Sequence, residues 1–168
     1  MTQKLPLGLQ DFGSIIEGGY KYIDKTRYIS TLPAQGKYFF LSRPRRFGKS
    51  LTLSTLNELY SGRQELFKGL WIEDKWDWGR KHPVLRISFT SIGYQTLGLE
   101  HALDQELSQM AIQFGVTVRT EGVAARFREL IQILSAQQKV VVLIDEYDAP
   151  ILNYLCLLYT SPSPRDRT

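Results

Sequence analysis

The segment SRPRRFGKSL, from Ser42 to Leu51, sets a glycine, an ammonium and a hydroxyl side by side at Gly48, Lys49 and Ser50, behind three guanidinium groups at Arg43, Arg45 and Arg46. These types suit an anion with several oxygens. Glycine lets the backbone pass close to it, lysine neutralises charge, a hydroxyl ligates a hard cation such as Mg²⁺, and the amides at a helix start point at the oxygens. A phosphate-binding loop usually carries another glycine five residues before Gly48, and here that position is Arg43, so the match is partial. Read alone, RPRRFGKS is equally a solvated basic turn that opens a helix. Much later, KVVVLIDEYD ends an apolar run in Asp145 and Glu146. The first of two acids at such a strand end can hold Mg²⁺ and the second can polarise an attacking water, whereas the bland reading is two solubilising acids where a strand surfaces.

Position raises both signals. KYFFLS, Lys37 to Ser42, is an apolar run between Gly36 and Pro44 and is expected to form a strand buried on both faces. Leu53, Leu56 and Tyr60, widened by Leu51 and Leu59, predict an amphipathic helix from Gly48 to Gly62. The order is strand, loop, helix. Upstream, Asp24 stands where an N-cap should stand before Tyr28, Ile29 and Leu32, predicting a short helix. Residues 63–83 are Trp-rich and irregular, a loop-and-turn cover. Val84 to Phe89 is a second expected strand. Leu99 to Phe114 and Val123 to Leu134 keep helical spacing, and Val140 to Ile144 is a third strand. Strands separated by helices imply an α/β protein with a parallel sheet, which binds ligands at the carboxyl ends of its strands. Both Ser42–Ser50 and Asp145–Glu146 fall at such ends. Asp148 reads as the N-cap of a helix beginning DAPILNYL, because Pro150 suits a first turn.

Composition narrows the chemistry. The chain has 168 residues, one Cys and two His, too few soft ligands for a Cys/His zinc site and a poor supply for a Cys/His or Ser/His nucleophile pair. Chemistry must rest on Lys, Arg, Asp, Glu and backbone groups. No apolar stretch suggests a secretion signal or a membrane span, so a cytoplasmic protein is expected. The net charge of +4 is mild, and four basic residues, Arg43, Arg45, Arg46 and Lys49, lie in one short loop. Residues 156–168, CLLYTSPSPRDRT, have the composition of a disordered or non-native tail, leaving 1–155 as the expected domain.

RPRRFGKSLTLSTL, with KYFFLS before it, YIDKT upstream, LFKGLWI downstream and VVVLIDEYDAPI at the end, resembles the AAA-ATPase-like domain that often precedes a PD-(D/E)XK nuclease-like region. The resemblance covers roughly residues 5 to 155 through several ordered blocks, and Arg at the first loop position agrees with that family. It implies a P-loop NTPase-type parallel sheet flanked by helices, incomplete at its C-terminus, with ATP and Mg²⁺ as ligands. The implied roles are these: Phe47, Gly48, Lys49, Ser50 and Leu51 at the phosphates, Ser50 and Asp145 on Mg²⁺, and Glu146 as general base. Arg45 and Arg46 either reach phosphates or face water. Asp24, Lys25 and Thr26 read as structural, with a hint that their segment folds over the nucleotide. Two alternatives stay open: a nucleotide-dependent switch without turnover, and a nucleic-acid-binding module that uses the Arg cluster. Oligomeric state is not legible.

Overall fold

The computed structural model describes residues 4–44 and 46–152. Its elements in chain order are α1 Phe12–Glu17, α2 Thr26–Ile29, α3 Leu32–Gln35, α4 Lys49–Tyr60, β1 Val84–Ser88, α5 Tyr94–Leu97, α6 Leu99–Gln113, α7 Val123–Ser135 and β2 Val141–Asp145, with a 3₁₀ turn at Gln64–Phe67. β1 and β2 form a two-stranded sheet. They run parallel: the Val141 amide donates to the Pro83 carbonyl at one end, 2.9 Å, and the Phe89 amide to the Asp145 carbonyl at the other, 3.2 Å. The chain is therefore a mixed helix and sheet protein, and its described residues divide into two compact units, 4–84 with 138–143 and 85–137 with 144–152.

In the first unit, α1 and α4 are joined by a buried polar link. Asp11 caps α1 by accepting from the Ser14 amide at 2.9 Å, and the Ser54 hydroxyl of α4 accepts from the Phe12 amide at 2.9 Å while donating to Asp11 Oδ2 at 2.8 Å. Ser54 and Phe12 are fully buried, so the bond between them satisfies groups that no water reaches. Around them packs an apolar core of Phe12, Ile29, Leu56, Leu59, Phe67 and Leu143, among others. Phe12 lies edge-on to Tyr22, centroids 5.0 Å apart, and tilted against Phe67 at 4.8 Å. The irregular stretch 63–83 is thus more than a cover, because Leu66, Phe67 and Ile72 are core residues and Trp76 and Trp78 pack on them.

In the second unit, α6 packs against α7, with Leu107, Met110, Leu130 and Leu134 buried. Arg126 ties the two helices, donating to Asp104 at 2.9 Å and Ser108 at 2.6 Å. Glu129 closes the preceding loop by accepting from the Arg119 and Thr120 amides and the Thr120 hydroxyl.

Two expectations are corrected. Residues 37–42 join no sheet: Tyr38 is 94% exposed and Phe40 74%. Apolar composition supplies a reason to bury side chains, but a strand also needs a neighbour whose amides and carbonyls match its own, and the observed sheet contains β1 and β2. The third expected strand is present as β2, with Leu143 and Asp145 buried and Val142 and Ile144 exposed. The helix expected after Asp24 is split into α2 and α3. Lys25, not Asp24, stands at the N-cap of α2 and makes no side-chain cap bond, while Asp24, one residue earlier, accepts through Oδ1 from the Thr26 amide at 2.8 Å and hydroxyl at 2.7 Å.

Candidate functional site

α4 begins on Gly48 in the left-handed conformation, φ 74° and ψ 29°, and has no side-chain cap. A left-handed residue suits glycine, and a Cβ built there meets no atom within 4 Å, so the space beside the backbone is open. The uncapped first turn of a twelve-residue helix presents amides and the positive end of the helix dipole. Lys49 folds back across the loop and donates to the Arg43 carbonyl at 2.6 Å. Thr52 bonds the Gly48 carbonyl through both its amide, 3.0 Å, and its hydroxyl, 2.8 Å, which locks the first turn. Arg46 is also left-handed, φ 67°, a conformation that costs a residue with a side chain of order 1 kcal/mol. Phe47 is exposed, Ser50 and Leu51 are half-buried in the first turn, and Arg45 lies outside the described residues.

Beside this helix start the first unit holds a cavity of about 320 Å³, mostly apolar, whose walls include Gly48, Leu51 and Thr52 together with Leu5, Tyr22 and Ile23. Tyr22 is hydrogen-bonded to Thr55, and its burial raises the phenol above its ordinary value. Asp24, next to the wall, behaves oppositely. Burial pushes its carboxyl up, but hydrogen bonds from the Trp71 amide and from the Thr26 hydroxyl and amide outweigh that and hold it below the ordinary value. Asp24 thus ties Thr26 to the segment that carries Trp71.

In the second unit, Asp145 ends β2 and is buried, 6% exposed. Glu146 follows in the left-handed region, φ 52°, and turns the chain, its carbonyl accepting from the Ala149 amide at 3.0 Å. Its carboxylate Oε2 accepts a hydrogen bond from the Thr90 hydroxyl, two residues past the end of β1. Asp148 stands before a helical turn at 149–152, its carbonyl accepting from the Leu152 amide at 3.0 Å. Among the described residues, no group of three or more His, Cys, Asp or Glu is arranged to hold a metal ion. The candidate donors are hard oxygens, the Ser50 hydroxyl and the Asp145 carboxylate. Each is by itself the donor type that Mg²⁺ takes.

The structure groups Arg46, Phe47, Gly48, Lys49, Ser50 and Leu51 at the start of α4 and keeps Asp145 and Glu146 adjacent at the end of β2. Thr90 and the cavity walls at Leu5, Tyr22 and Ile23 were not legible in the sequence. A threonine just past a strand end is common, and only its register beside Glu146 distinguishes it.

The sequence pattern of the AAA-ATPase-like family, described as predicted AAA-ATPases, matches residues 6–160. The chain belongs to this family. A curated relative of the AAA-ATPase-like chain, the uncharacterized protein in the vnfD 5' region of Azotobacter chroococcum mcd 1, is 48% identical over 157 residues, which covers 91% of this chain and 30% of that protein. The chain thus spans under a third of that relative's length. No solved structure matches. Membership supports nucleotide binding by the AAA-ATPase-like chain. No described helix is long and apolar enough to cross a membrane.

Proposed function

We propose that this AAA-ATPase-like chain binds ATP with Mg²⁺ and hydrolyses it, its elements being part of a P-loop NTPase-type fold. The observation that carries the reading is the start of α4, where a left-handed glycine, an uncapped helix N-terminus and a lysine folded across the loop come together. In this reading the amides of residues 47–50 donate to phosphate oxygens, and Lys49 exchanges the Arg43 carbonyl for the β and γ oxygens. Arg46 is assigned to the same anion. The cavity beside Gly48 is large enough for the base, and its apolar walls suit a ring face. Ser50 and Asp145 are the assigned Mg²⁺ donors, and Mg²⁺ when bound neutralises charge on the phosphates.

Glu146 is the assigned general base. It takes a proton from water as the water oxygen bonds to the γ phosphorus and the bond to the β–γ bridging oxygen breaks, giving ADP and phosphate. We assign the readout of nucleotide state to sequence beyond this chain, such as a C-terminal nuclease-like region, because the chain matches 30% of its A. chroococcum relative. Calorimetric titration with ATP tests the reading. Lys49→Ala should weaken binding at least about tenfold, and Glu146→Gln should keep binding while turnover falls by about 10² to 10⁴. A Lys49→Ala variant that binds ATP like the parent refutes it.

A further inference from the structure

The hydrogen bond between Thr90 and Glu146 joins two features that the phosphate loop does not explain. The first is register. The Phe89 amide, just past β1, donates to the Asp145 carbonyl at the end of β2 at 3.2 Å, so Thr90, two residues past β1, and Glu146, one past β2, lie at the same end of the ladder. The pairing of the strands brings together the segments that carry the hydroxyl and the carboxylate. The second is the backbone of Glu146. At φ 52° it occupies a region that residues with a Cβ seldom enter, and the turn that follows is closed by its own carbonyl. A conformation of that kind persists where surrounding contacts hold it. Thr90 supplies such a contact at the side-chain end, and the Ala149 amide supplies another at the carbonyl.

We propose that Thr90 is a positioning residue for hydrolysis, fixing the direction of the Glu146 carboxylate. The inference rests on the assignment of Glu146 as the base. A glutamate has three side-chain torsions, and at a turn beyond the end of its strand it samples many directions. A hydroxyl donated to Oε2 holds one of them and leaves Oε1 to accept from the attacking water. The hydroxyl of Ser88, 3.3 Å from that of Thr90, restrains the Thr90 rotamer in turn. Thr90 itself touches neither water nor phosphate in this scheme.

The experiment uses the full-length protein and three variants, Thr90→Val, Thr90→Ser and Glu146→Gln, with ATP turnover and ATP binding measured on each. Valine keeps the branched shape and removes the donor, while serine keeps the donor. Thr90→Val should lower kcat by about ten- to a hundredfold, the scale on which a small misplacement of a catalytic group acts, with KM and ATP affinity unchanged. Thr90→Ser should restore most of the loss. A Thr90→Val variant with the parent's kcat, or with a raised kcat, overturns the proposal. So does a loss that serine does not recover or that appears in KM. Glu146→Gln separates the two levels: if it turns over like the parent, the base assignment falls and takes this inference with it. If it is inactive while Thr90→Val is normal, only the inference falls.

Discussion

Substituting Gly48 by Ala separates the glycine's part in folding from its part in ligand binding. The folding cost has one component, because a Cβ at Gly48 meets nothing within 4 Å and the steric contribution is nil. What remains is the left-handed backbone at φ 74°, worth about 1 to 2 kcal/mol against a residue with a Cβ. The reduced entropy of the unfolded alanine variant offsets about 0.4 to 1 kcal/mol of this. The net is about 1 kcal/mol, a fall in Tm of a few degrees. Gly19→Ala is a matched control, with φ 65°, the same open space and a place in the same unit away from the α4 start. Its Tm should fall by a similar amount. ATP titrations should then diverge, with Gly48→Ala weakened at least about tenfold, or about 1.4 kcal/mol, by a methyl that keeps phosphate off the amides, and Gly19→Ala unchanged. Equal ATP affinities in the two variants would refute the reasoning, as would a Gly48→Ala stability loss far above that of Gly19→Ala.

Other perturbations test the frame around the site. Ser54→Ala leaves the buried Phe12 amide without its acceptor, so chemical denaturation should show a loss of about 1 to 3 kcal/mol. Asp24 has a carboxyl held below its ordinary value of 3.8, so its ionised form stabilises the fold above that pH, and the benefit is lost as pH falls through the lower folded value. Asp24→Asn should accordingly be less stable than the parent at neutral pH, with the gap closing below about pH 4 in melts taken across the acid range.

The helices that pack were legible because their apolar residues recur at helical spacing. α4, α6 and α7 fall where Leu56, Leu107 and Leu130 require. β1 and β2 were legible as apolar runs bounded by turn or polar residues. α1 was hidden, since glycine is a poor helix former, yet Gly13 lies inside the helix and Gly18 follows its end. Asp11 and the link to Ser54, 43 residues away, outweigh glycine's weak propensity there. Residues 37–42 misled in the other direction, because composition reports a wish for burial and is silent on which strand is there to pair with. Within the candidate site, Gly48, Lys49, Ser50, Asp145 and Glu146 announced themselves by chemical type. Thr90 did not, since its place depends on register, nor did the cavity walls at Leu5, Tyr22 and Ile23, which come from a chain segment well before the loop.

The division of the chain also bears on the order in which it can fold as it is made. Leu143 belongs to the core around Phe12, Leu59 and Phe67, but 53 residues of the other unit, 85–137, are synthesised before the segment that carries it. The α4 start leaves the ribosome early, on a core that is still missing one of its buried side chains. Completion of that core waits for a contact of long sequence separation, the kind whose loop-closure entropy slows folding. A nascent chain stopped near residue 84 therefore carries the whole phosphate loop on an unfinished scaffold, and the loop acquires its final support only when β2 emerges.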